Sequence, residues 1–271
     1  MVVFPNAKIN IGLRVLNKRE DGYHNIETAI FPIGWQDILE ITPTKGITTF
    51  KQTGLLIEGK KEQNIVWKAF KLMEDQFSLP SVHIHLHKSI PSGAGLGGGS
   101  SNAAFTITLI DSLFDLNLNQ ETMEGLAATL GSDCPFFIRN KPAIATNTGT
   151  TLSNIEYTLR KKWILVLCPA IHSSTENAYS KMNPDMKSIE LASALSQPVE
   201  DWENKIFNDF EVTIFETHPE IKELKDMLIN NGAEYASLSG SGSSVYGIFR
   251  SPPPPPPVAE LKVSWSGPVF V

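Results

Sequence analysis

Polar and apolar positions alternate over AKINIGLRVL near the start of the chain, with Ile9, Ile11, Leu13 and Val15 on one face and Lys8, Asn10, Gly12 and Arg14 on the other. A period of two predicts a half-buried strand with an organised polar face. Asp21-Gly22 in KREDGYH is a turn signal feeding a second β-rich run, YHNIETAIFPI, so residues 1–33 are expected to form a hairpin. After strand-like sequence near DILEITP the period changes. In NIVWKAFKLMEDQF, Val66, Phe70 and Met73 recur at helical intervals, and Asn64 is placed to cap the helix. VHIHLH alternates again. Beyond a glycine-rich stretch, Ala103, Ile107, Ile110 and Phe114 form a helical stripe that Ser100 or Ser101 is positioned to cap. A further helix over QETMEGLAATLG is expected to stop at Gly131 in a left-handed conformation, directly before SDCPFF.

From about residue 150 the pattern restarts with the apolar strand WILVLCP, an acidic and aromatic helical region, and PEIKELKDMLINNGA, a helix closed by Gly232. The restart implies two domains, 1–154 and 155–271. SLSGSGSSVYGIF repeats the glycine theme before a short strand. Prolines 252–257 favour polyproline II, a semi-rigid spacer of roughly 19 Å at ~3.1 Å per residue, leading to the strand-like LKVSW.

Length and composition narrow the class. A chain of 271 residues with 41% hydrophobic content buries a sizeable core. Its 29 acidic against 23 basic side chains, net charge −6, include no like-charge block, which argues against a nucleic-acid partner. Cys134 and Cys168 are the only cysteines and neither lies in a CxxC pair, so a reducing compartment is expected. MVVFPNAKINIGL lacks the charged and apolar regions of a secretory leader, and the run WILVLC is too short to span a bilayer. The expectation is a soluble, cytoplasmic chain with no membrane partner.

The stretch IPSGAGLGGGSSNAAF carries the chemistry. Bare backbone before a helix lets N–H groups approach an anion, and the helix N-terminus adds its dipole, so phosphate is the natural guest. The alternative is a tight surface turn. GAGLGG satisfies G-x-G-x-x-G, but one helix followed by another is not the βαβ context of a dinucleotide fold. A Walker loop needs a lysine that GLGGGSSN lacks, so a nucleotide bound here must find its cation elsewhere.

PSGAGLGGGSSNAA resembles the second signature motif of the GHMP kinases, and LSGSGSSVYGIF is similar to their third. PNAKINIGLRV, REDGYHNIET and LGSDCPFF, in that order, resemble the branch that acts on a cytidine diphosphate-linked methylerythritol. The resemblance spans residues 5–250. It implies an α+β, two-domain fold, with an N-terminal ATP-binding domain, a C-terminal substrate-side domain and the active site in the cleft between them. It further implies transfer of the ATP γ-phosphoryl group to the acceptor's 2-hydroxyl, with Mg²⁺ as companion ion.

Residue by residue, the resemblance makes Asp133 the general base and Lys8 the ammonium that stabilises developing charge, although an aspartate at this point also reads as a helix cap. Pro91, Gly93, Gly95, Leu96, Gly97, Gly98, Gly99, Ser100 and Ser101 would hold ATP, with Asn64 near the adenine. Asn10, Tyr23, His24, Thr175, Tyr179, Gly240 and Gly242 would hold the acceptor, the two tyrosine rings stacking on the cytosine. No metal ligand is assigned, since Mg²⁺ keeps waters and borrows phosphate oxygens. His83, His85 and His87 share a strand face at ligand spacing, but Val82, Ile84 and Leu86 suffice as a buried face with the histidines toward water. The expected state is a monomer or weak homodimer. Rival readings are another GHMP kinase, for mevalonate, phosphomevalonate or homoserine, and a non-catalytic nucleotide-binding module. The proline run and the chain after it depart from the family pattern.

Overall fold

A computed structural model describes residues 1–155, 159–171, 191–256 and 261–269. Two compact units are interleaved in sequence. Met1–Ala7, Trp35–Ser92 and Gly97–Asn140 form the first, and Lys8–Gly34, Gly93–Leu96 and Lys141–Val271 the second. This grouping differs from a single cut at 154/155 because the N-terminal hairpin is bonded to segments far beyond it, Leu13 bridging to Asn208 and Asn10 N–H donating to Ser239 Oγ. The hairpin's second strand runs antiparallel to Ala143–Asn147, from Ile26↔Asn147 to Ile30↔Ala143.

The first unit is a four-stranded sheet with helices. Strands β1 (Val2–Val3), β4 (Ile38–Pro43), β6 (Val82–Lys88) and β5 (Thr49–Gly54) lie in that order, β5 parallel to β6 and the other pairs antiparallel. Alternation in β6 buries Val82, Ile84 and Leu86 against α1 (Ile65–Phe77) and α2 (Gly98–Leu113), in one core with Phe70, Met73, Ala103, Ile107 and Ile110. Asn64 caps α1, its Oδ1 accepting from the Val66 N–H at 2.9 Å.

Three expectations change in this unit. The N-cap of α2 is Gly97, at φ 66° with no side-chain cap, so Ser100 and Ser101 sit in the first turn. Helix α3 (Gln120–Ala128) ends on a right-handed Thr129, and the Gly131 carbonyl instead accepts from Cys134 N–H at 3.1 Å, turning the chain straight into α4 (Cys134–Arg139). The strand histidines do not simply face water: Thr49 Oγ1 bonds His83 Nδ1 at 2.7 Å, and Thr53 Oγ1 bonds His85 Nε2 and His87 Nδ1 at 2.9 and 3.0 Å.

A buried ion pair pins the end of β6. Lys88 Nζ donates to Asp37 Oδ2 and, at 3.1 Å, to Asn102 Oδ1 on α2. Asp37 also accepts from Asn102 Nδ2 and from the N–H groups of Ser89 and Ile90 at 2.7–2.9 Å. Burial pulls the Lys88 ammonium below its ordinary range, against the opposing pull of Asp37.

The second unit holds two sheets. One orders β2 (Asn6–Lys18), β3 (His24–Gln36), β7 (Ala143–Asn147) and β8 (Thr151–Asn154), giving the expected β2–β3 hairpin. The other orders β10 (Tyr235–Leu238), β11 (Val245–Phe249), β9 (Trp163–Pro169) and β12 (Leu261–Pro268), all antiparallel. Thus the segment after the proline run, which departs from the family pattern, closes this sheet along β9. Helices α5 (Leu191–Leu195), α6 (Phe210–Thr217) and α7 (Pro219–Asn230) complete the unit, and Phe210, Ile214, Ile221 and Leu228 join Leu165, Leu167 and Val245 in its core. Gly232, at φ 91°, closes α7 as expected. Among the described residues no helix is long and apolar enough to cross a membrane.

Two substitutions test the first unit. A Cβ on Gly54, at φ 79°, would lie 2.2 Å from the Lys88 carbonyl oxygen, so Gly54→Ala is expected to cost about 2–4 kcal/mol. Asp37→Ala strands a buried ammonium, for an expected loss of about 3–5 kcal/mol. Both are read as a lowered urea midpoint at unchanged slope.

Candidate active site

In the first unit the site is built on the entry to α2. A Cβ on Gly98 would come 2.8 Å from Ile90 Cγ2 and 3.2 Å from Lys88 Nζ, so Gly98 is bare because the chain packs tightly beneath it. Gly99 is different. Its φ is not left-handed and a Cβ there would meet nothing nearer than Ile65 Cγ2 at 3.8 Å, so neither backbone strain nor packing demands glycine. Two residues on, the Ser101 hydroxyl is fully buried yet has no hydrogen-bond partner among the described residues. Buried hydroxyls are nearly always paired. With no side chain capping the helix, this corner combines a bare backbone, first-turn N–H groups and an unused hydroxyl, the donor set that suits a phosphate and its metal. Ser100 instead bonds Cys134, whose thiol burial pushes up to about 11.

Asp133 occupies the N-cap position of α4 at φ −83°, but its side chain makes no capping hydrogen bond. The half-buried carboxylate is therefore not doing the local job that its position suggests. Asn64 is doing one: besides capping α1, it donates from Nδ2 to Gln52 Oε1 at 3.3 Å. It also lines a cavity of about 290 Å³ with Phe50, Gly54, Leu56 and Lys60.

In the second unit Lys8 is only 4% exposed, as is Asn10, so the polar face of β2 is buried rather than wetted. It is buried because other loops meet it. Lys8 Nζ donates to Asn10 Oδ1 and, at 3.0 Å, to the Gly95 carbonyl, while Lys8 N–H donates to the Leu96 carbonyl at 3.0 Å. Asn10 Nδ2 reaches Thr28 Oγ1 at 3.1 Å, and Tyr246 OH donates to the Asn10 carbonyl at 2.9 Å. The two glycine motifs touch here. A Cβ on Gly95 would lie 2.0 Å from the Ser239 carbonyl oxygen, and one on Gly240 3.2 Å from Asn10 Oδ1. Ser239 Oγ donates to the Gly95 carbonyl at 2.8 Å and accepts from Asn10 N–H at 3.3 Å. Gly93, Gly95, Gly240 and Gly242 all have positive φ, which suits glycine.

Tyr23 ends the β2–β3 turn, its N–H held by Asp21 Oδ1 at 3.1 Å and its side chain exposed, the residue being 67% accessible. Burial, then the charge of Lys18, lowers the pKa of the neighbouring His24, which favours the neutral imidazole. Pro91 and Leu96 are buried in the walls of the loop. Thr175 and Tyr179 lie outside the described residues.

Sequence reasoning missed Asp37, Lys88, Asn102, Asn208 and Ser239. The one local signal was a charge inside an apolar run, Asp37 in GWQDILEI. Its partner Lys88 is 51 residues away, so no local pattern could pair them.

Comparison with known proteins places the chain in a family. The GHMP kinases N terminal domain family matches residues 64–141 and the GHMP kinases C terminal family residues 185–261. A 4-diphosphocytidyl-2-C-methyl-D-erythritol kinase of Azobacteroides pseudotrichonymphae is 48% identical over 93% of this chain and 94% of its own. Its namesake in Parabacteroides distasonis is 44% identical, covering 93% of each. A crystal structure of 4-(cytidine 5'-diphospho)-2C-methyl-D-erythritol kinase superposes with TM-score 0.80 at 29% identity, over 92% of this chain and 90% of that one. Homoserine kinase from Cytophaga hutchinsonii, at 16% identity and TM-score 0.63 over 91% and 86%, shares the fold alone. With a phosphate-suited corner in one unit, a buried lysine between two glycine motifs in the other, and relatives matching along nearly the whole chain, the protein belongs to the GHMP kinase family of ATP-dependent kinases, in its α+β fold.

Proposed function

We propose that the protein phosphorylates the 2-hydroxyl of 4-diphosphocytidyl-2-C-methyl-D-erythritol, a step of the non-mevalonate route to isoprenoids. The observation that carries the chemistry is the corner at Gly99 and Ser101, where a missing Cβ and an orphaned hydroxyl have no explanation among the described residues. The choice of acceptor follows the relatives of that name at 44–48% identity.

Bound ATP supplies the phosphoryl group and Mg²⁺ screens its charge. Backbone N–H groups from Gly97 to Ser100 hold phosphate oxygens, the Ser101 hydroxyl offers an oxygen to the metal, and Pro91, Gly93, Gly95 and Leu96 shape the loop. Asn64 acts as a wall of the adenine cavity, since its polar atoms already serve the fold. Asp133, the residue that the family resemblance assigns as general base, accepts the proton of the acceptor hydroxyl. Lys8 stabilises the developing negative charge, and burial strengthens that effect by lowering the local dielectric. Tyr23 stacks on the cytosine, neutral His24 bonds its polar edge, and Asn10, Thr175, Tyr179, Gly240 and Gly242 hold the remainder. The reading takes residues 1–154 and 155–271 as the ATP-side and acceptor-side domains of a cytoplasmic monomer or weak homodimer without a nucleic-acid partner.

The test is ADP release from Mg-ATP with the cytidine acceptor, mevalonate, phosphomevalonate or homoserine supplied separately. Turnover with the cytidine compound alone is expected, and turnover only with another acceptor would discard the roles of Tyr23 and His24. Lys8→Met and Asp133→Asn are each expected to lower kcat on the order of 10²- to 10⁴-fold. Wild-type turnover in either variant would remove that residue from the mechanism.

A further inference from the structure

Asn208 lies far in sequence from every residue given a role in the reaction, yet the residue is only 2% exposed and its side chain is fully used. Nδ2 donates one hydrogen to the Leu238 carbonyl at 2.9 Å and the other to the Gly240 carbonyl at 2.8 Å. Oδ1 accepts from Phe210 N–H at 3.0 Å, at the start of α6. Two acceptors on one side and a donor on the other fix the orientation of the amide.

The two clamped carbonyls flank Ser239. Held on both sides, Ser239 directs its hydroxyl to the Gly95 carbonyl and takes the Asn10 N–H, while Gly95 receives the Lys8 ammonium. Asn208 is itself anchored to β2, the strand that carries Lys8. Leu13 N–H donates to the Phe207 carbonyl at 2.9 Å and Asp209 N–H to the Leu13 carbonyl at 2.8 Å. The Asp209 carboxylate accepts from Val15 N–H at 2.8 Å and pairs with Arg14 Nε at 3.0 Å. One short segment thus ties the glycine loop at 239–242 to the strand against which that loop must be registered.

We infer that Asn208 is a positioning residue: its amide fixes Ser239, and through it the Gly95 carbonyl on which the Lys8 ammonium rests. The inference builds on the proposed reaction and adds a residue that touches neither nucleotide nor acceptor. A small displacement of a reacting group costs rate more than binding, so the signature is a loss in kcat with ATP affinity kept.

The experiment compares wild type, Asn208→Asp and Ser239→Ala. Asn208→Asp keeps the acceptor for Phe210 N–H but sets a carboxylate oxygen against two carbonyls. The expected result is a kcat lower on the order of 10- to 100-fold with KM for ATP changed by less than about threefold. Amide hydrogen exchange over residues 238–244 is expected to quicken by about tenfold while exchange in α1 is unaltered. Ser239→Ala, which leaves the clamp in place, is expected to reproduce the kcat loss. Folded Asn208→Asp with wild-type kcat, or with unchanged exchange at 238–244, overturns the inference. If Asn208→Asp does not fold, Ser239→Ala decides alone, and wild-type kcat there overturns it. Exchange needs no turnover, so a wild type inactive toward every acceptor removes the proposed reaction, while the loop measurement still decides for or against the clamp.

Discussion

A single backbone oxygen, the Gly95 carbonyl, accepts both the Lys8 ammonium and the Ser239 hydroxyl, and the second unit is organised around that meeting. The contact is possible because Gly95 has no Cβ: one would lie 2.0 Å from the Ser239 carbonyl oxygen. Closing the two loops on β2 takes Lys8 out of water, and a desolvated ammonium demands acceptors. Asn10 Oδ1 and the Gly95 carbonyl answer that demand.

Lys88, in the first unit, is also buried. Lys88 meets a full carboxylate in Asp37, and the pair serves to join β6 to the first turns of α2 through Asn102 and the Ser89 and Ile90 amides. A charge compensated in this way contributes fold rather than reactivity. The same division runs through the glycines. Gly95 and Gly98 are bare because protein atoms crowd them, whereas Gly99 is bare with room to spare.

Asp133 and Asn64 illustrate how position and use part company. Both stand at helix N-caps, yet Asn64 caps and Asp133 does not. Local sequence offers the same reading for each, since capping preference depends on residue type and helix boundary alone. Whether the oxygen turns to the N–H groups or away from them is settled by what surrounds it.

Much of the molecule was legible in the sequence. Periods of two and 3.6 gave β2, β3, β6, α1 and α2, the Asp21-Gly22 turn gave the hairpin, and Gly232 gave the end of α7, because these depend on neighbours within a few residues. Motif order also singled out the glycine loop, Lys8 and Asp133 as candidates. The sequence was silent wherever the partner is distant. It gave β2 a polar face without showing that the face is buried, read Ser100 or Ser101 as a cap, and gave no hint of the Asp37–Lys88 pair or of Asn208. Residue pattern determines which faces are apolar and where the chain turns. Only the tertiary fold decided which polar groups lost their water, because desolvation and the hydrogen bonds that compensate it are set by segments tens to hundreds of residues away.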